Sequence, residues 1–564
     1  MSFKKTTLSS SIALIVAGMA TTSLSQEQME LEEIIVQGGI RESLRKSMDI
    51  KRDSTGVVDA ITAEDIGKFP DTNLAEALQR VTGVSINRER GEGSQITVRG
   101  FGPEYNLVTL NGRQMPTTNL TSRSFDFGNL AAEGISGVQV YKTGRADVPT
   151  GGIGSLINIS TTRPLDAPGE AASFTFKGKN DPSAGRGDDI TPEGSGIYRN
   201  TFADDTIGIA ISASYSERDN GVNSYSTSGW FTELASTIGG TMPPDNDDQI
   251  NRPSPTENAD IFLSTPRQAS YTVNEYSSQR VNGQLTLQWA ASDTVEATVD
   301  YTYTEFELAR AYNSFGGWFS HNSNTVQTTW ETFGSHASPL IYTEISNPSD
   351  NAMALGYEGN IDESESIGLN LAWQAKDNLR LEIDHHDSEA NQGAAGPEGT
   401  GVNLNIASYN RVLTRVDYRS ELPIMTIGMD SGVDPDGDGP LDPVARPLYK
   451  SDMRISGSVI GNEHMEMGIK QSRFKGNFEV SDVTSIDFGL ESSKVENQGL
   501  TSSIQQDTWG GVGDLGLLDD VLTRASMSNQ FDQIEGNDDP ARTTDFFIAD
   551  AADIKTIARQ IYTD

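Results

Sequence analysis

The clearest metal-binding pattern in the chain is a set of four aspartates in one short stretch. Asp434, Asp436, Asp438 and Asp442 are interleaved with Pro and Gly, and alternating carboxylates on a bent loop can surround a calcium ion. Ala445 stands where an EF-hand loop needs its bidentate Glu, and no helical pattern flanks the stretch. A solvated acidic loop is therefore the favoured interpretation, and a structural calcium site is the alternative.

The other residues that could take part in catalysis or metal binding do not form a recognisable site. The glycines of Gly511–Gly516 spell GxGxxG, but they follow no clear strand and open no clear helix. His385 and His386 would point to opposite faces of a strand, so they do not suit one metal ion. Cysteine is absent, which removes disulfides and thiolate chemistry. We expect neither an enzyme nor an organic cofactor.

Composition narrows the class of protein further. The 564 residues carry 42 Lys and Arg against 80 Asp and Glu, a formal charge of −38, so a nucleic-acid backbone would be repelled and no nucleic-acid partner is expected. No mature segment offers the roughly 18 consecutive apolar residues of a membrane helix. The 55 glycines and 35% hydrophobic residues suit a polar-lined β architecture.

The amino end predicts export. Residues 1–25 place Lys4 and Lys5 before an apolar run and small residues, the pattern of a signal peptide cut before Gln26. Residues 26–39 form an acidic leader that contains Ile34, Ile35 and Val36. Such a β-branched run is either a strand donated to a partner's sheet or the first strand of the next domain.

Residues 40–165 read as a compact mixed α/β domain. Asp71 is a plausible N-cap for a helix over Thr72–Val81. Short alternating strands follow, and Asn111-Gly112 is a strong hairpin-turn signal.

These segments carry a specific resemblance. The runs VTGVSINRERGEGSQITVRGFGPEYNLVTLNGRQM (81–115), RSFDFGNLAAEGISGVQVYKTGRADVPTGGIGSLINISTTRPLD (123–166) and LEEIIVQG (31–38) resemble the plug domain and TonB box of TonB-dependent outer-membrane receptors. Within that family they are most similar to the large proteobacterial receptors often linked to carbohydrate uptake. The resemblance implies a Gram-negative outer-membrane location and, as partner, TonB with its inner-membrane energising complex. It also implies a TonB box of Leu31, Glu32, Glu33, Ile34, Ile35 and Val36.

The plug carries the candidate substrate contacts. The loop Met115–Arg123 resembles an apical plug loop, and the candidate substrate residues at this apex are Arg113, Thr117, Thr118, Asn119 and Arg123. For the plug arginines an alternative interpretation is favoured, in which they pair with carboxylates of the barrel wall; these are Arg88, Arg90, Arg99, Arg113 and Arg145.

Beyond Pro164 the pattern changes to period-two alternation. Apolar and polar residues alternate in seven stretches, Ile207–Tyr215, Val281–Trp289, Val295–Tyr303, Ile367–Trp373, Leu379–His385, Phe474–Val480 and Ile486–Leu490, which is typical of strands that face lipid on one side. Tight turns alternate with long polar loops, predicted over residues 218–276, 308–362 and 390–460. We therefore expect a mixed α/β plug followed by an antiparallel transmembrane β-barrel over residues 166–564, in contact with outer-membrane lipid, with short turns in the periplasm and long loops outside.

Aromatic residues in these predicted loops are candidates for substrate stacking. Aromatic faces stack on sugar rings and on other flat ligands, while packing inside the loops is the alternative. The candidates are Trp230, Phe231, Tyr312, Trp318 and Phe319.

The predicted function is energised uptake of a large substrate. An oligosaccharide is favoured and a ferric siderophore comes next; a passive porin or binding-only protein is the alternative class. A barrel of this kind closes with about 22 strands, whereas the alternation indicates eight to ten. We therefore expect the chain to hold the N-terminal part of a barrel, as a truncated or partial sequence.

Overall fold

The structure is a computed structural model that describes residues 39–62, 73–119, 122–130, 132, 134–185, 187–235, 249–253, 260–321, 326–396, 399–430, 443–444 and 448–563. The predicted signal peptide, the leader with the predicted TonB box and the four aspartates of the calcium candidate lie outside these residues. None of the helices in the described part of the chain has the length and hydropathy that a membrane span requires.

The first domain, the plug, is built from short elements. In chain order they are α1 (Gly39–Asp53), β1 (Val58–Thr62), α2 (Leu74–Leu78), β2 (Val84–Glu89), β3 (Glu92–Val98), β4 (Asn106–Leu110), β5 (Arg113–Gln114), β6 (Ile135–Tyr141) and β7 (Ser155–Thr161). Five strands form one sheet in the order β1-β6-β7-β4-β5, and β2 and β3 form a hairpin. The mixed α/β prediction is confirmed.

Two local predictions in the plug have different outcomes. Asn111 and Gly112 take φ angles of +54° and +78°, which the tight turn of a hairpin requires, so the turn prediction is confirmed. The helix is shorter than predicted, at Leu74–Leu78, and its N-cap is Asn73, whose side chain accepts from the Glu76 amide. The Asp71 N-cap is therefore wrong, because the asparagine two residues later fills that position.

A second, larger sheet forms the barrel wall. Its strands are β8 (Ala171–Lys179), β9 (Thr191–Phe202), β10 (Ile207–Ser226), β11 (Trp230–Leu234), β12 (Gln249–Ile250), β13 (Phe262–Pro266), β14 (Gln268–Ser292), β15 (Val295–Trp318), β16 (Val326–Phe333), β17 (His336–Lys376), β18 (Leu379–Ala394), β19 (Gly401–Asp417), β20 (Ile424–Asp430), β21 (Pro443–Val444), β22 (Arg454–Ser481) and β23 (Thr484–Val512). A small hairpin of β24 (Thr523–Ser526) and β25 (Asp545–Ile548) and the helix α3 (Ala551–Thr563) follow.

Nine long strands run through the wall in the order β8-β9-β10-β14-β15-β17-β18-β22-β23, each antiparallel to its neighbours. All seven alternating stretches lie in these strands, so the antiparallel barrel architecture is confirmed. Within the described residues β8 pairs with β9 alone and β23 with β22 alone. That the chain holds only part of a barrel stays a prediction.

The predicted long loops are shorter than expected. Strand β10 continues to Ser226, β15 to Trp318, and β17 already begins at His336, all inside stretches predicted as loop. β18 and β19 both lie between β17 and β22, and each pairs with a different part of these two strands. In these extensions the regular alternation of apolar and polar residues ends, while the hydrogen-bond ladder continues.

The hydrophobic residues form two main cores. One lies inside the plug, around α2 and the inner face of its sheet. The other lies at the far end of the wall from the short turns, where residues from β14, β15, β17, β19 and β20 pack against the segment 513–563. The helix α3 lies within this segment.

The plug–wall interface as candidate functional site

The β4–β5 hairpin places one arginine deep in the plug–wall interface. Arg113 follows the Asn111-Gly112 turn directly and is 4% exposed. Its Nε and Nη2 donate to Asp384 on β18, at 3.0 Å to Oδ1 and 2.8 Å to Oδ2. Its Nη1 donates to Asp300 Oδ2 on β15 at 2.9 Å. One plug side chain thus connects two strands of the wall.

The charges around Arg113 fix it in its charged form. Burial by itself disfavours a charged guanidinium, but the hydrogen bonds and attraction of Asp384 and Asp300 outweigh burial and raise the pKa of Arg113. Two carboxylates face it, and Arg163 adds positive charge 3.5 Å from Asp300. Removing one member of a buried ion pair typically costs about 3–5 kcal/mol because the other charge is left uncompensated, so the docked interface depends on Arg113 being present.

The backbone of the hairpin is also held by the wall. Arg473 on β22 donates through Nη1 to the Gly112 carbonyl at 2.8 Å. The Gln114 amide donates to Gln471 Oε1 at 3.3 Å, and His386 Nε2 lies 3.3 Å from the Gln114 carbonyl. The hairpin therefore docks through a continuous set of polar contacts on neighbouring strands β18 and β22.

A second interface contact uses charges in the opposite arrangement. Glu92 of the plug lies between two wall arginines, 3.2 Å from Arg218 on β10 and 3.2 Å from Arg280 on β14. Burial alone would raise the pKa of Glu92, but the two arginines lower it below its usual range. Together the two contacts hold the plug to β10, β14, β15 and β18.

The favoured interpretation of the plug arginines is confirmed for one of five. Arg113 pairs with the wall, whereas each of the other four bonds to another plug group in the described structure. Arg88 pairs with Glu76, Arg90 with Glu89, Arg145 with Asp147, and Arg99 donates to the Lys142 carbonyl. Wall pairing is therefore wrong for these four, because a plug carboxylate or carbonyl lies nearer in each case.

The structure separates the candidate substrate residues of the plug. Thr117 Oγ1 donates to the Ser124 carbonyl at 2.9 Å, and Thr118 donates to Asp362 of the wall. Asn119 Oδ1 accepts from the Ser122 amide at 3.1 Å. Arg123 is exposed and donates to the Glu104 carbonyl at 3.0 Å. Arg113 is enclosed between two wall strands, so these residues do not form one surface. Substrate contact by any of them stays a prediction.

Four of the five candidate aromatics lie on strands rather than in loops. Trp230 and Phe231 belong to β11, Tyr312 and Trp318 belong to β15, and Phe319 follows β15. Trp230 and Trp318 are 41% and 50% exposed. Phe319 is buried against Tyr342, and Phe231 packs on His321 and under Arg267. Tyr312 lies under Arg310. Packing within the protein accounts for Phe319 and Phe231. Trp230 also packs on Tyr418, with ring centroids 5.5 Å apart, and keeps only part of its ring exposed, as Trp318 does.

The histidine geometry agrees with the strand argument. His385 is exposed on β18 with Nδ1 2.8 Å from Ser472 Oγ, whereas His386 faces the plug. Within the described residues no group of three or more His, Cys, Asp and Glu is placed to hold a metal ion.

Comparison with known proteins identifies the first domain. Residues 50–155 match the family described as TonB-dependent Receptor Plug Domain. The chain carries the plug domain of a TonB-dependent receptor. This confirms the resemblance to the plug domain; the TonB box and the link to carbohydrate uptake stay predictions.

Named relatives are siderophore receptors. The ferric enterobactin receptor PirA of Pseudomonas aeruginosa is 30% identical over 156 residues, which cover 25% of this chain and 21% of that protein. The probable TonB-dependent siderophore receptor PirA of Acinetobacter baumannii is 26% identical over 152 residues, 24% and 19% of the two chains. The chain thus matches about a fifth of the length of these relatives. The solved P. aeruginosa PirA structure aligns with 80% of this chain and 90% of its own, at 13% identity and a TM-score of 0.24.

Proposed function

We propose that the protein is an outer-membrane receptor that takes up a large substrate with energy supplied through TonB. The observation that carries this proposal is a plug domain anchored to the wall by the buried Arg113–Asp300–Asp384 ion pairs. A plug held this firmly blocks passive flow, so passage requires work on the plug. The same observation argues against the passive porin.

The proposed energy input is the TonB box. Residues Leu31–Val36 precede α1, and TonB would pair with this segment as an added strand. The wall's exposed apolar residues near the short turns, such as Leu287, Leu369 and Ile486, suit contact with outer-membrane lipid. A pull on the leader would then reach the plug from the periplasmic side.

For the substrate we propose a ferric siderophore, with an oligosaccharide as the second candidate. The names of the relatives support the siderophore. The oligosaccharide is supported by the resemblance of the plug to carbohydrate-linked receptors and by the exposed rings of Trp230 and Trp318.

The coupling can be tested by deleting residues 31–36. Uptake of labelled substrate by cells should be lost while binding at the surface is unchanged, because the deletion removes none of the residues that form the plug–wall contacts. Deleting residues 26–30, which also removes two glutamates but leaves Leu31–Val36 in place, is the matched control and should keep uptake. Joint loss of binding and uptake would contradict this division of roles.

The substrate and the passive alternative need separate measurements. Purified protein should bind ferric enterobactin, used as a probe, in preference to a maltooligosaccharide; the opposite preference would favour the sugar.

Liposomes containing the protein should not swell in small sugars. Swelling at a porin-like rate without any partner would support the passive pore.

A further inference from the structure

The first helix of the plug carries an exposed apolar pair. Leu44 and Met48 on α1 are 53% and 57% exposed. Residues four apart on a helix lie on one face, about one turn from each other, so the two side chains form one apolar surface, the α1 face. The exposed side chains of Arg45 and Arg52 lie at its border. The α1 face is therefore apolar at its centre and basic at its edge.

The opposite side of α1 is fixed to the plug. Ser43 is fully buried and accepts a hydrogen bond from Thr62 Oγ1 on β1 at 2.5 Å. Lys51 Nζ lies 2.6 Å from Asp59 Oδ1 on the same strand. Just beyond the helix, Arg145 Nη1 donates to Ser54 Oγ at 3.2 Å. α1 is therefore a folded part of the plug, and its orientation leaves the α1 face uncovered by β1.

Only two residues separate α1 from the predicted TonB box. Val36 ends the box, Gln37 and Gly38 follow, and α1 begins at Gly39. From Val36 to Gly39 the chain spans at most about 11 Å, and Leu44 lies about 7.5 Å farther along the helix axis. The end of the box is therefore within about 20 Å of Leu44, whatever the conformation of the two linking residues.

A protein that pairs with the box must occupy the space beside α1. A partner that adds a strand also brings the sheet to which this strand belongs, with neighbouring strands about 4.8 Å apart. Even a domain of about 100 residues has a radius of gyration near 13 Å. This dimension is comparable to the whole distance between the box and Leu44, so the linker places such a domain next to the helix.

We propose that the α1 face is a second contact for TonB: the TonB domain that pairs with Leu31–Val36 also packs an apolar patch on Leu44 and Met48. The inference rests on the proposed coupling through TonB and adds a surface of the folded plug to it. Contact with both side chains removes their apolar area from water, and pairing at the box makes the second contact intramolecular. TonB thus contacts α1 as well as the leader.

Binding of a soluble periplasmic domain of TonB to the purified full-length chain tests this contact. Leu44→Ala combined with Met48→Ala should raise the Kd about tenfold, because the box remains and only the second contact is lost. Alanine favours helix, so α1 should still form. Leu515→Ala, at a leucine 61% exposed in the segment 513–563, is the matched control and should keep the parent Kd. Equal Kd values for the parent and the double variant would overturn the proposal.

A synthetic peptide of residues 26–38 separates the box from α1. It should bind the TonB domain about as weakly as the double variant does, because it contains Leu31–Val36 without the helix. A peptide that binds as tightly as the parent chain would show that the box is the whole interface. If neither the chain nor the peptide binds TonB, the proposed coupling itself is wrong, so the two failures can be distinguished.

Cysteine labelling shows directly whether TonB covers the α1 face. Because the sequence has no cysteine, Met48→Cys introduces a single thiol. This thiol should react readily with a polar maleimide in the free chain and slowly once the TonB domain is bound, whereas Leu515→Cys should react equally in both. Slow reaction of Met48→Cys without TonB would show that another part of the protein covers the face. Equal rates with and without TonB would show that TonB does not contact it, and either result would overturn the proposal.

Discussion

At the scale of single residues, the charge on Arg113 holds the plug in place. We predict that Arg113→Ala weakens docking by about 3–5 kcal/mol, because Asp300 and Asp384 stay buried without the guanidinium that both of them contact. The sequence has no cysteine, so spin labels on Thr82→Cys in the plug and Asp293→Cys in a short turn of the wall, both exposed, give one labelled pair. This pair should then report an increased released population. Adding Asp300→Asn and Asp384→Asn to Arg113→Ala should recover part of the loss, since no buried carboxylate then lacks the Arg113 guanidinium; the partly exposed Arg163 loses only its 3.5 Å contact with Asp300.

Arg123→Ala is the matched control for this prediction. Arg123 is exposed, and its Nε bonds to a plug carbonyl rather than to a wall carboxylate. Its loss should change docking by less than about 0.5 kcal/mol. Equal loosening by Arg113→Ala and Arg123→Ala would mean that the buried ion pairs do not anchor the plug.

The sequence predicted that plug arginines would seek wall carboxylates, but it could not identify the partners. Asp300 and Asp384 lie 187 and 271 residues from Arg113. Which wall residues face a given plug side chain depends on the register of several strands, and one residue of slip turns every side chain to the other face. Asp300 and Asp384 had one usable signal, namely that both occupy the inward, polar positions of alternating strands.

At the scale of secondary-structure elements, close approach of strand and hairpin depends on a glycine. A Cβ built on Gly368 of β17 would lie 1.9 Å from Arg113 Nη1. We predict that Gly368→Ala displaces the Arg113 guanidinium and shifts the labelled pair toward the released distance. Gly283→Ala on β14 has no heavy atom within 4 Å of the new Cβ and should leave docking unchanged; equal effects of the two would place the hairpin elsewhere.

Strand existence was predictable where one face meets lipid, and strand length was not. The alternation ends near Tyr215 and Val281, yet their strands continue in register through Ser226 paired with Ser270. Hydrogen bonds between backbones hold this extension regardless of side-chain pattern. The alternation of apolar and polar residues indicates a strand whose two faces have different environments. It gives no signal where both faces meet water or protein.

At the scale of the whole molecule, one face of the wall is exposed at one end and covered by protein at the other. Paired residues Tyr271, Phe315 and Met353 form a row across β14, β15 and β17. Tyr271 lies on the same face of β14 as Trp289, because their positions differ by an even number and the ladder between them has no register shift. Near the short turns this face is exposed and apolar, and farther along it is covered by residues 513–563. This segment therefore covers the extended part of a face that is exposed near the short turns.

We predict that Phe547→Ala releases this cover without disturbing the plug. Phe547 is 1% exposed, and its amide lies 3.3 Å from Met353 Sδ, so truncation leaves a cavity that costs about 3–5 kcal/mol. Limited proteolysis should cut residues 513–563 faster while the plug stays protected, since the two hydrophobic cores are separate. Leu515→Ala, at a side chain 61% exposed on the same segment, should match the parent protein. Equal protection of Phe547→Ala and the parent, or simultaneous cutting of the plug, would show that the segment is not an independent cover held by this contact.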